Sequence, residues 1–310
     1  MKCDVVIISY NTKVLVENCI LSIYNYANRF VKNIIVVDNC SSDGTVEYLK
    51  KAFPEITIVK NEANYGYSYA VNRGVEKSSS DFVIISNSDV VFLDNSIEIL
   101  LQKLSQNKHN AVAFPRQIFP DGSFQYSYGD FPTILSGLKE LTFIGPVENT
   151  LRKILFNKFN LDFPKRFFGY ADGAVLAVRK SIFDKIGGFD EDYFFYSEDM
   201  DFSHKIKSYG KRIIFCPSSR VIHLRGASSN SDKFSYETTK KLLLSKVFFA
   251  KKHNLLKKLK FYAKCQIIKS QIIIFFLRLF IRNSNNNSSL VKFHRNNTKV
   301  WSEILDELQH

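Results

Sequence analysis

The stretch DFVIISNSDVVF, residues 81–92, joins an apolar run to a compact polar ending. Residues 82–85 are aromatic or β-branched with no polar residue among them, which is typical of a strand buried on both faces. Asn87 and Asp89 follow at its carboxyl end, where open α/β sheets bind their ligands. A carboxylate there can hold a divalent metal through oxygen, although such residues also form ordinary turns and helix caps.

Two segments on the amino-terminal side repeat this arrangement. Residues 5–8 form an apolar run before the Ser-Tyr-Asn at 9–11, and residues 34–37 form another that leads directly into Asp38. Helix-like segments follow both, and strands alternating with helices predict an α/β protein with a mostly parallel central sheet flanked by helices. Because the carboxyl ends of parallel strands share one edge, we expect the three polar clusters to meet there.

Several classes of protein are disfavoured by motifs that the sequence lacks. No GxGxxG follows the first strand and no GxxxxGK[ST] occurs, which argues against a dinucleotide oxidoreductase and a P-loop NTPase. The five cysteines are odd in number and form no CxxC pair, so a reducing compartment is expected rather than a zinc site or a disulfide framework. We expect no secretory signal and no transmembrane helix, since the longest uncharged apolar run near the carboxyl end, residues 272–277, is far below the roughly 20 residues that span a bilayer.

The positive charge of the 310-residue chain is concentrated near its carboxyl end. The formal net charge is +13, and residues 240–300 carry 15 Lys and Arg with no Asp or Glu. Basic and apolar residues alternate at helical spacing in residues 240–282, and four apolar residues fall on one side: Leu256, Leu259, Ala263 and Ile267. This pattern fits a helix on an anionic membrane surface, a solvated basic face packed on the rest of the protein or, least of all, nucleic-acid binding.

Three further segments give weaker signals. Residues 114–168 contain aromatic residues without a clear period, which fits either an insertion that shapes a substrate site or a peripheral subdomain. Residues 283–289, NSNNNSS, predict a linker, and residues 299–308 predict a last short helix.

Carboxylates crowd the start of a helix predicted in the second half of the chain, where Glu198, Asp199 and Asp201 lie close together. The helix dipole favours acidic residues in a first turn, so capping and chemistry are both open interpretations on local grounds. His223 follows a short predicted strand. A lone histidine in that position is more often an ordinary polar residue than a metal ligand.

Six motifs in order resemble the family-two inverting glycosyltransferases, in particular bacterial rhamnosyltransferase-like members. They are SYN (9–11), VVDNCSSDGT (36–45), NYGYSYAVNRG (64–74), SNSDV (86–90), GGFDEDYFFYSEDMDFSHKIKSYG (187–210) and VIHLRGAS (221–228). The resemblance covers roughly residues 3–230. It implies a GT-A fold, a nucleotide-diphosphate sugar donor and a saccharide or lipid-linked saccharide acceptor.

The resemblance also implies a donor site. Its residues would be Ser9, Tyr10, Asn11, Asp38, Asn64, Asn72 and Asn87. Asp38 would accept a hydrogen bond from a pyrimidine N3–H, which favours a uracil or thymine base. Asn87 and Asp89 match the ends of the family's Asp-x-Asp motif, so Asp89 and His223 would hold Mg²⁺ or Mn²⁺. Asn87 stands where the family has Asp, which removes one negative charge from the metal site.

Asp199 matches the family's catalytic base, which accepts the proton of the attacking sugar hydroxyl in a single inverting displacement. Acceptor-side residues would be Gly173, Tyr196 and Glu198. Neighbouring carboxylates raise the pKa of such a base and a helix N-terminus lowers it, and the sequence leaves open which effect is larger.

From these features we predict an inverting, metal-dependent glycosyltransferase of cell-surface polysaccharide assembly, such as O-antigen or capsule, that transfers a hexose or deoxyhexose from a UDP- or dTDP-sugar. The predicted catalytic domain is residues 1–230, with a donor half of about 1–115 and an acceptor half of about 116–230. Residues 231–310 form a basic helical region, with peripheral attachment at the inner face of the cytoplasmic membrane expected through residues 240–282. The alternatives are a nucleotide-sugar-binding or scaffold subunit and a basic membrane-surface protein.

Overall fold

The computed structural model describes residues 1–159, 168–225, 235–280 and 289–309. Contacts divide the chain into two compact units. Met1–Gly129 and Leu155–Ser229 form the first, which we call the sheet unit. Asp130–Ile154 and Asn230–His310 form the second, which we call the helical unit.

The sheet unit alternates strands and helices in its first half, as the sequence predicts. Its elements up to Gly129 are β1 (Cys3–Ser9), α1 (Lys13–Tyr26), β2 (Val31–Asp38), α2 (Thr45–Ala52), β3 (Thr57–Lys60), α3 (Tyr67–Lys77), β4 (Phe82–Asn87), β5 (Val90–Phe92), α4 (Ser96–Ser105), β6 (Asn110–Ile118) and β7 (Tyr128–Gly129). After α5 (Ile134–Leu141) and α6 (Ile144–Phe159) come β8 (Tyr170–Ala171), β9 (Val175–Arg179), α7 (Lys180–Lys185), α8 (Glu198–Ser208) and β10 (Arg212–His223).

Eight of these strands form one sheet, in the order β3-β2-β1-β4-β9-β6-β10-β5. Six run in the same direction, while β9 is antiparallel to β4 and β6, and β5 is antiparallel to β10. The prediction of a mostly parallel sheet is therefore confirmed. The short strand predicted before His223 is the end of the 12-residue β10, whose pairing with β6 is irregular between Cys216 and Arg220.

Apolar residues on both faces of the sheet explain why its strands lack polar alternation. In β1, Val5 and Ile7 pack into the core on one face, and Val6 and Ile8 pack into the core on the other. Every residue of β1 is buried. Gly74 of α3 lies so close to the sheet that a Cβ atom there would meet the Val6 side chain, so this helix packs almost directly on β1.

The helical unit contains the middle part of the segment whose pattern was unclear in the sequence, residues 130–154, together with the basic carboxyl-terminal helices. Its described helices are α5 and most of α6, followed by α9 (Tyr236–Lys252), α10 (Leu256–Phe280) and α11 (Ser289–Glu307). Residues 130–154, which the sequence-based division placed in the acceptor half, belong to the helical unit. At Gly137 an added Cβ would lie 3.2 Å from Cα of Tyr262, so α5 approaches α10 closely.

The four apolar residues expected on one side of α10 pack within the helical unit. Leu259 and Ala263 are fully buried in its core, and Leu256 and Ile267 pack against it while partly buried. The buried partners include Leu243 of α9 and Val300, Trp301, Ile304 and Leu305 of α11. Packing is therefore the correct interpretation for these four residues. Ile268, Phe275 and Phe276 elsewhere on α10 are 44%, 59% and 51% exposed, and membrane attachment through residues 240–282 stays a prediction.

Two other expectations for the carboxyl-terminal region have different outcomes. The last helix is longer than predicted, because α11 begins at Ser289 rather than near residue 299. The predicted linker 283–289 lies almost entirely outside the described residues. Among the helices that the structure describes, none is both long and apolar enough to cross a bilayer.

Candidate functional site

The carboxyl edge of the sheet brings together the polar residues that follow β1, β2 and β4. Ser9 lies opposite Asp38 in the pairing of β1 with β2, and Ile8 lies opposite Asn87 in the pairing of β1 with β4. The expected meeting of the three clusters at one edge is therefore observed. The meeting follows from the parallel register, because neighbouring parallel strands of similar length have their carboxyl ends side by side.

At the β1–β2 side of this edge, Asp38 and Asn11 organise two loops. The Ser41 N–H donates to Oδ2 of the buried Asp38 at 2.9 Å, while Oδ1 has no hydrogen-bond partner among the described residues. Asn11, at a left-handed φ of 52°, accepts from the Ser42 N–H at 2.8 Å and donates its own N–H to Oγ of Ser41. Tyr10, next to Asn11 in the chain, is 45% exposed. This corner of the sheet therefore offers a ligand one buried acceptor, Oδ1 of Asp38, and one accessible aromatic ring, that of Tyr10.

Three other predicted donor residues make contacts within the protein. The buried Ser9 hydroxyl lies 2.9 Å from that of Thr12, and Oδ1 of Asn64 accepts from the Gly66 N–H at 3.1 Å. The Asn72 amide donates to Phe189 O and a Glu191 carboxylate oxygen, and it accepts from the Phe189 N–H. Asn72 thus holds the turn that precedes α8, and we leave it out of the proposed donor site.

Asp89 and His223 lie side by side beyond β4. Oδ1 of Asp89 is 3.4 Å from Nε2 of His223, and both residues are buried, with 1% and 6% of their surface exposed. They meet because β5, which begins one residue after Asp89, pairs with the end of β10, where His223 lies opposite Val90. No third His, Cys, Asp or Glu joins them in a metal-binding group within the described residues.

Two glutamines that the sequence analysis did not identify fix the orientation of His223. Nδ1 of His223 lies 2.9 Å from Oε1 of both Gln117 and Gln125. The amide nitrogens are engaged elsewhere, since Gln125 donates to His223 O and Gln117 donates to Oδ1 of Asp172. Both amide oxygens therefore face Nδ1 and can accept its N–H, while Nε2 faces Asp89. With Nδ1 as the donor, Nε2 is the ring nitrogen that a metal can use.

Asp172, also missed in the sequence, connects the two halves of the site. It enters because β9 runs antiparallel and so begins at the edge where β4 ends, with the Asn87 N–H donating to Ala174 O at 2.9 Å. Its Oδ1 accepts from the Ala174 N–H at 2.9 Å and from Gln117 at 3.2 Å. The only local signal was a carboxylate next to an apolar strand, as at Asp38 and Asp89.

Asp199, at the start of α8, faces the segment that precedes β9. The Gly173 N–H donates to its Oδ2 at 3.3 Å, and the Met200 N–H donates to its Oδ1 at 2.7 Å. Burial is the largest effect and raises the pKa of Asp199, the negative charge of Asp172 raises it further, and the two N–H donors lower it. The net shift is upwards, so this carboxyl group takes up a proton more readily than an ordinary aspartate.

Glu198 is buried next to Asp199 and shares its environment. Burial raises the pKa of Glu198, and the charge of Asp199 adds to this effect. Two adjacent carboxyl groups with raised pKa values are more typical of functional sites than of helix caps.

Tyr67 is a further residue that the sequence analysis did not single out, although it lies within the motif at 64–74. Its hydroxyl donates to Gly173 O at 2.8 Å. Burial raises the pKa of this hydroxyl well above its ordinary value, and four surrounding carboxylates add to the effect: Glu198, Asp199, Asp172 and Asp89. Tyr67 therefore lies among the carboxylates of both halves of the site.

The loop before α8 has an unusual backbone and exposed aromatic rings. Tyr196 and Ser197 are consecutive non-glycine residues with left-handed φ values of 75° and 65°. Such conformations are costly and are concentrated at functional sites. The rings of Phe194 and Phe195 are 59% and 50% exposed, while Tyr196 is partly buried. At Gly66, with φ of 91°, an added Cβ would collide with Phe194 O, so only glycine permits this close approach.

Two family models and several known proteins match this chain. A family model described as Glycosyl transferase family 2 matches residues 4–187, and one described as Glycosyl transferase family group 2 matches residues 147–241. The N-acetylglucosaminyl-diphospho-decaprenol L-rhamnosyltransferase of Mycobacterium tuberculosis is 30% identical over 244 residues, which cover 75% of this chain and 79% of that protein.

Two more distant proteins are also similar. The low-salt glycan biosynthesis hexosyltransferase Agl10 of Haloferax volcanii is 21% identical over 239 residues, covering 76% of this chain and 71% of that protein. Among solved structures, the mannosyltransferase PcManGT from Pyrobaculum calidifontis, in complex with GDP-Man and Mn²⁺, matches with a TM-score of 0.60 and 14% identity, covering 100% of this chain and 88% of that one.

Proposed function

This chain belongs to glycosyl transferase family 2 and has a GT-A fold, and we propose that it transfers a hexose or deoxyhexose, with rhamnose as the first candidate, from a UDP- or dTDP-sugar to a saccharide or lipid-linked saccharide. The observation that supports this most is the geometry of the edge, where Asp199 and the Asp89–His223 pair are joined through Asp172. Rhamnose and a lipid-linked acceptor are suggested by the name of the mycobacterial relative.

In this proposal Asp199 is the general base. Its raised pKa brings the carboxyl group closer to the pH at which it would work, which favours proton transfer from a sugar hydroxyl as that hydroxyl attacks the anomeric carbon. The N–H groups of Gly173 and Met200 hold the carboxylate in place. Because one displacement occurs at the anomeric carbon, its configuration inverts. Phe194 and Phe195 offer exposed rings for the acceptor.

Asp89 and His223 would hold the metal. A carboxylate oxygen and an imidazole nitrogen at 3.4 Å, with the ring in the metal-binding tautomer, fit a divalent cation such as Mn²⁺ or Mg²⁺. When bound, the ion offsets the negative charge of the diphosphate leaving group. Asn87 contributes no charge, so we expect metal binding to depend strongly on the donor diphosphate.

Asp38 and Tyr10 would bind the nucleoside. Oδ1 of Asp38, which has no hydrogen-bond partner among the described residues, can accept a hydrogen bond from the N3–H of uracil or thymine. The exposed ring of Tyr10 can stack on the base. A purine such as guanine presents a different edge to Asp38. We therefore expect UDP or dTDP to bind more tightly than GDP.

Asp199→Asn tests the assignment of the base. We expect its kcat to fall by about 10²- to 10⁴-fold, while the thermal stabilisation by UDP or dTDP with Mn²⁺ stays as in the unchanged protein. Asp192→Asn is the matched control, because Asp192 is an exposed carboxylate on the preceding loop and its loss should leave both measurements unchanged.

Normal turnover by Asp199→Asn would remove Asp199 as the base. A panel of UDP, dTDP, GDP and CDP, each with and without Mn²⁺, tests the donor site separately. If no nucleotide stabilises the unchanged protein, the transferase assignment to a UDP- or dTDP-sugar is wrong.

A further inference from the structure

The helical unit carries a stripe of apolar residues on α6 that no other part of the described chain covers. Ile144, Val147, Leu151 and Ile154 are between 43% and 64% exposed. Their spacing of three, four and three residues places them on one side of the helix. We call this set the α6 stripe. All residues of α6 are described in the structure, and Phe156 is the only one that is buried. It lies on the side of the helix opposite the α6 stripe. The helix therefore leaves its apolar side open.

The preceding helix adds to this exposed apolar surface. In α5, Ile134, Leu135 and Leu138 are 48%, 64% and 42% exposed, whereas Gly137 is buried where the helix packs closely on α10. Two consecutive helices thus both present apolar residues to the outside. Exposed apolar surface of this extent marks a binding surface more often than an accident of composition.

The charge of the helical unit indicates the chemistry of the partner. Residues 230–310 contain 16 Lys and Arg and five Asp and Glu, a formal charge of +11, while residues 130–154 contain three of each sign. A second copy of the chain would bring the same positive charge to the interface and be repelled. An anionic lipid bilayer has the opposite charge and an apolar interior directly beneath it.

We propose that the α6 stripe binds the interface of an anionic bilayer, with α6 lying in the plane of the membrane. Its 16 residues are too few to span the hydrocarbon core, but its apolar side suits burial at the depth of the headgroups. The positive charge of the helical unit adds a long-range attraction to acidic headgroups. The surface differs from the side of α10 that carries Leu259 and Ala263, which packs within the helical unit. Docking does not depend on the proposed transferase activity, although it would bring the enzyme to a lipid-linked acceptor.

Sedimentation of the full chain with vesicles tests the proposal. We expect binding to vesicles of phosphatidylcholine and phosphatidylglycerol in equal parts, weaker binding to phosphatidylcholine alone, and loss of affinity as salt is raised. Leu151→Glu should lower the water-to-vesicle partition coefficient roughly tenfold or more. It removes a leucine that the bilayer would bury, and it adds a negative charge that acidic headgroups repel. Leu151→Gln should lower it as well, without a change in charge.

Asn149→Glu is the matched control. It adds the same charge to the same helix, seven residues before Phe156 and so on the side away from the α6 stripe, and we expect it to bind vesicles as the unchanged protein does. Thermal unfolding of each variant shows whether the fold is kept.

Equal loss of binding in Leu151→Glu and Asn149→Glu, with Leu151→Gln unaffected, would overturn the proposal, because charge alone would then explain binding. Absence of vesicle binding together with a dimer that Leu151→Glu dissociates would overturn it in favour of self-association. Transfer to a water-soluble acceptor should be unchanged in Leu151→Glu. Failure of transfer with every acceptor would count against the proposed function and leave the vesicle result standing.

Discussion

At the scale of single residues, the pKa of Asp199 shows how a charge from another element acts on the proposed base. The neighbours along the chain, Glu198 and Asp201, suggest like-charge repulsion from within α8. In the structure the charge that acts on Asp199 is that of Asp172, which precedes β9. Glu198 in turn is affected by Asp199. Burial, which only the folded chain provides, is the largest effect on both.

The pH dependence of turnover tests this interaction. A base must be deprotonated to act, so a raised pKa moves the acid limb of kcat/KM to a higher pH than an ordinary aspartate would give. Asp172→Asn removes the neighbouring charge and should move that limb to lower pH, measured with a fixed donor and saturating metal. Glu198 lies next to Asp199 and its pKa is raised as well, so the acid limb reflects the titration of both carboxyl groups. A limb that stays in place would show that Asp172 does not act on the base.

At the scale of elements, one buried carboxylate joins the starts of three strands. Asp4 in β1 accepts from Nδ2 of Asn33 at 2.9 Å in β2, and from the Ser78 hydroxyl and the Ser79 and Ser80 N–H groups before β4. Burial works against the charged form, but the hydrogen bonds from the serines and the asparagine outweigh it and lower the pKa of Asp4. The carboxylate therefore fixes the level at which neighbouring strands begin.

We expect Asp4→Asn to reduce the free energy of unfolding by about 2 kcal/mol or more, because an amide cannot accept from all of these donors. A lowered native pKa means that the stabilisation by Asp4 is fully present above the unfolded value of about 4 and is lost as pH falls below it. Denaturant titrations at neutral and acidic pH measure both effects. Asp81→Asn, at an exposed carboxylate before β4, is the control. Equal stability of Asp4→Asn and the unchanged protein would refute this role.

At the scale of the whole molecule, the helical unit is built from two separate segments of the chain. The helical unit contains residues 130–154 as well as the chain from Asn230 onwards. In it α5 packs on α10 at Gly137, and Glu140 forms an ion pair with Lys269. A chain that ends at residue 230 keeps α5 but loses the partner helix.

We therefore expect the chain 1–230 to aggregate or to bind a hydrophobic dye far more strongly than the full chain does, since the packed side of α5 becomes exposed. Size-exclusion chromatography and dye fluorescence, with the full chain as reference, give the answer. A monomeric 1–230 chain with unchanged dye binding would show that α5 does not need α10.

The sequence alone determined the first half of the sheet and the edge at which its polar clusters meet. Apolar runs such as residues 82–85 specify strands locally, and parallel strands must end on a common edge, so local pattern and strand direction together predict that Asp38 meets the cluster at 87–89. The order of the motifs was sufficient to predict the family, which the comparisons confirm. The roles of the individual site residues stay predictions.

Only the tertiary structure decided which distant residues complete the site and which faces of helices stay open. The antiparallel direction of β9 brings Asp172 to the edge, and the amides of Gln117 and Gln125 set the tautomer of His223. The side of α10 that carries Leu259 and Ala263 is packed, while the α6 stripe is exposed. The reason is common to all of them: local patterns fix what a segment can become, but strand direction and the partner of an apolar face depend on contacts between segments far apart in the chain.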